Sequence, residues 1–306
     1  MKPKKIGIIG PGKHFEEKIY PIISKMKFFK IDGILRKRTK RFKTIPIYSE
    51  TIFFKKNFDF VYICCPSKLH EKFIIQSLKS GYHVICEKPF ITRNKNINYI
   101  IDLAKKKKKL LFECFMYAYH PVFYYLKSII KNKKFGKIKY VISNFKYPSL
   151  KQTNNRYDPN KGGGFFHDAA SYLISLETYL FSNSSKISFK IKKIKKKVDL
   201  RGYIFMKIKN ETRHYFWGEG QNYSNNIEIF FDKATIYIDK FFSKYNKESI
   251  YLKIFKSKNS IIKFEPKNQF KLMIKKIIQN YNSKKFRELH YSLIKKQLNF
   301  QKKIEN

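Results

Sequence analysis

The pattern of apolar runs predicts an α/β protein in two parts. A parallel sheet wound with helices on both faces comes first, followed by an α/β domain with a large, open, mostly antiparallel sheet. Three observations predict it. Short apolar runs alternate with helical stretches through the first third of the chain, a glycine-rich turn follows the first of those runs, and strand-like runs without long interleaved helices fill residues 187–264. Repeated strand–helix–strand units close only through right-handed crossovers, which makes the strands parallel. Successive strands without such crossovers pair antiparallel.

The elements follow in order. Residues 6–9 read as a strand, 15–26 as a helix, 28–35 and 60–65 as strands, 70–80 as a helix, 83–86 as a strand, 96–108 as a helix and 110–114 as a strand. After His120-Pro121 the rhythm changes, so the boundary is placed between a domain of residues 1–120 and one of 121–306. The second part opens with a helix at 122–131 and a strand at 137–145, then a loop at 148–164 rich in Asn, Pro and Gly, then a helix at 166–180. Strands are expected at 187–194, 198–208, 213–217, 227–231 and 235–238, and helices at 269–279 and 283–297.

Composition sets bounds on function. Of the 306 residues 43% are hydrophobic and 17% aromatic, enough for packed cores and too many for a disordered chain. No apolar run approaches the ~20 residues of a spanning helix, and the run before Gly10 is far short of the about 7–15 residues of a signal peptide. A soluble cytoplasmic protein without a membrane partner is expected. Cys64, Cys65, Cys86 and Cys114 lack CxxC spacing and read as reduced, buried thiols, with no metal site. The net charge of +45 invites a nucleic-acid reading. The lysines, however, are spread along the whole chain and come with an excess of Ile, Asn, Phe and Tyr, all with A- and T-rich codons. Genomic bias accounts for all five residues, so no specific nucleic-acid partner is expected.

The motifs that carry chemistry sit at strand ends. Gly10-Pro11-Gly12-Lys13-His14 lies where the first strand meets a helix. Two glycines there permit a tight turn and close approach of a pyrophosphate, and the helix supplies free N–H groups. Phe15 replaces the third glycine of the usual fingerprint. A dinucleotide of the NAD type should have an acid at the end of the second strand, yet Asp32 comes too early and the tip reads Arg36-Lys37-Arg38. Those cations suit a 2′-phosphate and favour NADP over NAD. Cys65-Pro66, with His70 beyond, ends the next buried strand, and Glu87-Lys88-Pro89 ends the one after, pointing into the ligand crevice of a Rossmann sheet.

The order of these pieces resembles the Gfo/Idh/MocA oxidoreductase family. Gly10-x-Gly12, the turn from Pro66 to His70, Glu87-Lys88-Pro89, the stretch Glu113 to Pro121, and Gly162-Gly163-Gly164-Phe165-Phe166-His167-Asp168-Ala169-Ala170-Ser171-Tyr172 recur in that sequence. The resemblance covers nearly the whole chain, most specifically the N-terminal half and residues 156–175. It implies a Rossmann domain followed by an α/β domain whose open sheet serves oligomer contacts, hence a homo-oligomer. It implies Lys88 as the active-site lysine, with Asp168 and Tyr172, four apart on one helix face, as the other catalytic residues. Tyrosine where many members have histidine is similar to the branch of glucose-fructose oxidoreductase, dimeric dihydrodiol dehydrogenase and nucleotide-sugar 3-ketoreductases. In that branch the tyrosine donates a proton while nicotinamide delivers hydride to a carbonyl. A Lys88 ammonium would lower the tyrosine pKa, and Asp168 would orient a substrate hydroxyl. Gly10, Gly12, Lys13, His14, Arg36, Lys37, Arg38, Cys65, Pro66, His70, Glu87 and Lys88 would contact the cofactor. Ala118 departs from the family, standing where an arginine is common. The expected substrate is sugar-like, with a nucleotide-linked sugar within that class. The rivals are a nonenzymatic cofactor-binding regulator on the same scaffold and a basic nucleic-acid-binding protein.

Overall fold

A computed structural model describes residues 2–36, 42–92, 96–151, 153–181, 188–195 and 197–305. The chain divides into two compact units, one of Met1–Cys114 with Met273–Lys302, the other of Phe115–Leu272 with Lys303–Asn306.

The first unit is built on β1 (Lys4–Ile9), β2 (Phe29–Leu35), β3 (Ile47–Tyr48), β4 (Phe60–Ile63), β5 (His83–Cys86) and β6 (Leu111–Glu113). They form one parallel sheet in the order β3-β2-β1-β4-β5-β6. That order reverses between β1 and β4, the arrangement in which a dinucleotide binds beyond the strand ends. Every residue of β4 and β5 is buried, as a sheet covered on both faces requires. The crossovers hold a π-turn at Phe15–Ile19 continued by α1 (Tyr20–Ile23), then α2 (Glu50–Phe53), α3 (His70–Lys79) and α4 (Ile97–Lys106). The two-residue β3 lies outside the sequence expectation, because two residues carry no periodicity.

The second unit begins with α5 (Pro121–Lys131) and β7 (Ile138–Tyr147). The expected helix at 166–180 is a continuous run in three parts: a π-turn at Phe166–Ala170, α6 (Ser171–Leu176) and a π-turn at Glu177–Phe181. Then come β8 (Ser188–Lys195), β9 (Asp199–Ile208), β10 (Glu211–Glu219), β11 (Ser224–Phe231), β12 (Thr235–Ile238), β13 (Ile250–Phe255) and β14 (Ser260–Phe264). The eight strands run β14-β13-β12-β11-β7-β10-β9-β8, with β7 and β10 parallel and the other pairs antiparallel. Period-two burial gives the sheet a covered face and an open one. On β7, Val141, Ser143, Phe145 and Tyr147 are buried while Tyr140 is 56% exposed.

The closing helices are α7 (Gln269–Asn280) and α8 (Lys284–Glu305). A division into 1–120 and 121–306 assigns both to the second domain, whereas Met273–Lys302 belongs to the first unit. The reason is packing. Tyr291, Ile294 and Leu298 of α8 share a core with Ile97, Ile101 and Leu111, and His290 lies 4.4 Å from the Phe112 ring. Periodicity shows that a helix has an apolar face and leaves open which sheet that face covers. No helix among the described residues is long and apolar enough to cross a membrane. All four cysteines are free, Cys86 and Cys114 buried, Cys64 and Cys65 only partly so.

Candidate active site

In the first unit the chemistry gathers beyond the carboxyl ends of β1, β4, β5 and β6. Gly10 closes β1 with φ +67, and its N–H donates to the Leu35 carbonyl at 2.8 Å. A Cβ on Gly10 would stand 2.4 Å from the Cys65 Cβ, so the turns after β1 and β4 touch backbone to backbone, as only glycine permits. At Gly12 a Cβ would meet nothing within 4 Å. That open space in front of a glycine turn and a helix start fits the pyrophosphate of a nicotinamide dinucleotide. Lys13 is nearly fully exposed and pairs with Glu17 at 3.7 Å. Arg36 follows β2 and pairs with Glu16 at 3.6 Å; Lys37 and Arg38 lie outside the described residues. Asp32 pairs along the sheet with Lys5 at 3.1 Å, consistent with its position before the strand tip.

Glu87 is the hub of this cluster. Its Oε1 accepts from the Tyr62 hydroxyl at 2.5 Å and faces His14 Nε2 at 3.4 Å. Burial works to raise the Glu87 pKa, but His14 and the Tyr62 bond outweigh it and hold the carboxylate low. Reciprocally, burial works against the His14 cation, and Glu87 more than offsets it, raising its pKa. The paired charges thus sit beside the glycine turn with His14 half exposed. Lys88 follows, partly exposed, and the Lys88–Pro89 bond is cis.

His70 has a different place from that expected of a cofactor contact. It is 1% exposed, with Nδ1 2.8 Å from the Pro89 carbonyl oxygen and Nε2 2.9 Å from that of Cys65. Both ring nitrogens face carbonyls, so the ring ties the β4 turn to the β5 turn. Burial lowers its pKa, while the two carbonyls push it back up. Glu113, at the end of β6, reaches the same β5 turn from beneath. Its Oε1 accepts the Phe90 N–H at 2.8 Å.

In the second unit Asp168 and Tyr172 lie on one face of the helical run, as their spacing requires. Asp168 meets Tyr147 and Tyr172 stacks on Phe145 at 5.0 Å between centroids, so residues four apart on the helix meet residues two apart on β7. Four helical residues rise about 6 Å and two strand residues about 6.8 Å, which is why the partners match. Asp168 accepts from Arg156 Nε at 2.5 Å and the Tyr147 hydroxyl at 2.9 Å on Oδ2, and from Arg156 Nη2 at 3.2 Å on Oδ1. A carboxylate has about four lone-pair sites, so little acceptor capacity remains for a substrate hydroxyl. Burial and the Asp168 charge raise the Tyr147 pKa, and Asp168 raises that of Arg156. Tyr172 is 7% exposed, its hydroxyl 3.4 Å from the Met116 sulfur, with Phe115 and Phe242 rings around it. Gly164, at φ +118, leaves room for Asp199, whose Oδ2 accepts the Phe166 N–H at 2.6 Å and fixes where this helical run begins.

Sequence reasoning missed Tyr62, Glu113, Tyr147 and Arg156. Arg156 stood in view in the loop before Gly162-Gly163-Gly164, where an arginine whose planar fork suits a carboxylate was the available signal. The tyrosines and Glu113 carry no local mark, because they sit on strands and act through partners distant in sequence.

Comparison with known proteins agrees with this reading. Residues 4–115 match GFO_IDH_MocA, described as an oxidoreductase family with an NAD-binding Rossmann fold, and residues 123–237 match the GFO/IDH/MocA C-terminal domain. A dTDP-3,4-didehydro-2,6-dideoxy-alpha-D-glucose 3-reductase of Actinomadura kijaniata is 26% identical over 180 residues, 56% of this chain and 54% of the relative. A trans-1,2-dihydrobenzene-1,2-diol dehydrogenase of Xenopus laevis is 24% identical over 40% of this chain and 37% of its own. The chain thus spans about half or less of the length of these relatives. Among solved structures, KijD10, a 3-ketoreductase from Actinomadura kijaniata in complex with NADP and TDP-benzene, superposes with TM-score 0.89 at 20% identity, over 99% of this chain and 97% of that one. An aldose-aldose oxidoreductase from Caulobacter crescentus gives TM-score 0.86 at 17% identity, over 99% and 96%. These likenesses show the fold, and the two family matches span most of the sequence in the expected order. The chain belongs to the Gfo/Idh/MocA oxidoreductase family.

Proposed function

We propose that the chain is an NAD(P)-dependent oxidoreductase that interconverts a hydroxyl and a carbonyl on a sugar-like substrate, with nucleotide-linked sugars the favoured class. The observation that carries this is the strand order, which brings Gly10, Cys65 and Lys88 to the carboxyl ends of β1, β4 and β5, three adjacent strands beside the reversal point. Gly10, Gly12, Lys13 and His14 would hold the phosphates, and Cys65, Pro66, Glu87 and Lys88 the nicotinamide end. Arg36, with Lys37 and Arg38, would favour the 2′-phosphate of NADP. The nicotinamide, when bound, supplies the two-electron chemistry. Tyr172 is assigned the proton that neutralises a developing alkoxide, Lys88 a positive charge that favours that transfer, and Asp168 alignment through its fixed carboxylate.

Self-association belongs to the same proposal. The open face of the eight-stranded sheet presents Tyr140, Tyr203, Phe216, Tyr251 and Phe255, all more than a third exposed. Exposed aromatic side chains recurring along one sheet face mark a protein contact, and a second copy of the chain is the assigned occupant. A cytoplasmic setting is proposed with it, in keeping with four unbridged cysteines.

The test is a screen of dTDP-sugars and free aldoses by nicotinamide absorbance, then Tyr172→Phe and Lys88→Met on the substrate found. Loss of a general acid slows turnover about 10²–10⁴-fold. That corresponds to roughly 3–5.5 kcal/mol of barrier. Both variants should still bind NADPH, and more tightly than NADH, by fluorescence titration. Undiminished turnover in Tyr172→Phe would remove the donor assignment, and a chain that binds neither nucleotide would remove the enzyme reading altogether.

A further inference from the structure

Glu113 is a buried carboxyl group at the end of β6 that the proposed chemistry does not use. It is the last residue of β6, lies across from Cys86 in the β5–β6 register, and is 1% exposed. One oxygen is committed, since Oε1 accepts the Phe90 N–H at 2.8 Å. The other, Oε2, is buried without a hydrogen-bond partner among the described residues. A carboxylate anion taken from water and given a single hydrogen bond is strongly disfavoured, whereas a carboxylic acid with its proton on Oε2 leaves no buried charge. The turn it supports contains Lys88. Two buried side chains grip that turn: His70 faces the Pro89 carbonyl and Glu113 holds the next amide, Phe90. Phe90 itself is fully buried, and its carbonyl faces the Cys86 thiol at 3.9 Å.

We propose that Glu113 is a positioning residue for Lys88: it fixes the Lys88–Phe90 turn through the Phe90 amide, and its Oε2 proton decides whether a negative charge stands behind Lys88. This rests on the reading of Lys88 as an active-site residue. One charge, that of Lys88, bears on Glu113, and two uncharged thiols lie beside it. Lys88 above it lowers its pKa, the Cys86 thiol on β5 and the adjacent Cys114 thiol are themselves raised by it, and both stay uncharged because burial raises them far more. Burial dominates for Glu113 too and lifts its pKa to about 8, against the Phe90 bond and Lys88. The group is therefore neutral at neutral pH and ionises just above it. Ionisation lowers the positive potential that Lys88 offers to an anionic ligand.

Two measurements on the full chain test this. The first needs no ligand. An infrared pH titration should show a protonated-carboxyl band that disappears with a midpoint near 8. The band should be missing from Glu113→Gln, and its midpoint should move upward in Lys88→Met, which removes the cation that favours ionisation. The second uses NADPH as the probe. Its dissociation constant should rise several-fold between pH 7 and pH 9, and Glu113→Gln, which keeps the Oε1 acceptor and cannot ionise, should flatten that rise. His14 contributes a limb of its own to both proteins, so the difference between the two profiles reads Glu113. Glu113→Ala, which loses the acceptor, should bind NADPH more weakly than Glu113→Gln at pH 7. A titrating band unchanged in Glu113→Gln, or identical NADPH profiles in the two proteins, overturns the proposal. A chain that fails to bind NADPH at any pH would remove the functional reading, while the infrared band and its shift in Lys88→Met would still decide the role of Glu113.

Discussion

In the parallel six-stranded sheet the polar groups of interest stand beyond the strand ends, whereas in the eight-stranded sheet they lie on the covered face, under a helix. The first arrangement follows from topology. Strands buried on both faces leave only their ends for charged side chains, and parallel order brings all the carboxyl ends to one edge. Glu87, His14 and Lys88 gather there, Glu87 mostly buried, His14 half exposed and Lys88 partly exposed. The second arrangement is made by side chains. Arg213 and Glu177, 1% and 3% exposed, are ion-paired inside the unit, and Tyr215 also donates to Glu177 while Glu211 accepts from Arg213 at 2.6 Å. The Arg213 guanidinium lies 3.9 Å above the Phe181 ring. One unit keeps its charges at a solvent-reachable edge and the other buries a full network, so the two should respond differently to losing a partner.

The largest effect tests that contrast. Arg213→Met leaves Glu177 buried beside Tyr215 without its cation, and breaking a buried pair costs about 3–5 kcal/mol. The urea midpoint of the second unit should fall accordingly. Adding Glu177→Gln should restore much of the loss, because replacing both partners removes the stranded charge. A Glu87→Gln change at the strand-end cluster should cost far less, since His14 is half exposed and regains water. Equal losses in the two variants would end the distinction between edge and buried charge.

How much of this was legible in the sequence follows the same division. The strand-end residues could be named from the chain alone, because a glycine turn or a proline after an apolar run marks where a parallel strand stops. The pairing of Asp168 with Tyr172 was also legible, since four residues on a helix share a face. The partners were not. Arg156, Tyr147 and Glu113 are set by register between elements far apart in the chain, and no local pattern encodes register across a sheet with both long and short connections. The same limit explains His70. Its place in the Pro66–His70 motif suggested a ligand contact, while its two carbonyl partners show that the motif also shapes the backbone. The placement of α8 in the first unit likewise depends on which core accepts its apolar face.

A middle-sized effect sharpens the comparison through pH. Burial lowers the pKa of His83 to about 3, helped by Lys109 and Arg287, and that of His290 to about 3. In the second unit burial lowers His120 to about 4, with Lys244 and Lys267 adding to it. A histidine depressed in the folded state contributes stability that is full above its unfolded pKa near 6.5 and is lost as pH falls toward the folded value. By pH 5 each such group should cost about 2 kcal/mol. Glu113 acts in the opposite direction. Its pKa is raised, so its contribution is full below the unfolded value near 4.5 and is lost as pH rises toward 8. Glu113 should therefore offset part of the stability that His70, His83 and His290 of the first unit lose between pH 7 and pH 5, and Glu113→Gln should make that loss steeper. A Glu113→Gln protein whose urea midpoints follow the unaltered chain at both pH values would show that Glu113 is already charged at neutral pH.

The smallest effect on stability concerns the open face. Phe216 is 38% exposed and sits in the β10 register between Tyr203 of β9 and Asn144 of β7. Its side chain points away from the covered face, where Tyr215 and Trp217 are buried, so Phe216→Glu removes no core contact from the unit. Surface changes of this kind usually alter folding free energy by no more than about 0.5 kcal/mol. An interface responds differently, because its central aromatic side chains are desolvated on association and a carboxylate there would have to be buried without a partner. The unaltered chain should sediment as an oligomer and Phe216→Glu as a smaller species, while both unfold at the same urea concentration when diluted below the association range. Glu228 already lies on this face beside Ile142, with its pKa raised by burial, so self-association should also strengthen as pH falls and that carboxyl takes up a proton. Equal sedimentation of the two proteins would remove Phe216, and with it this stretch of the open face, from the proposed contact.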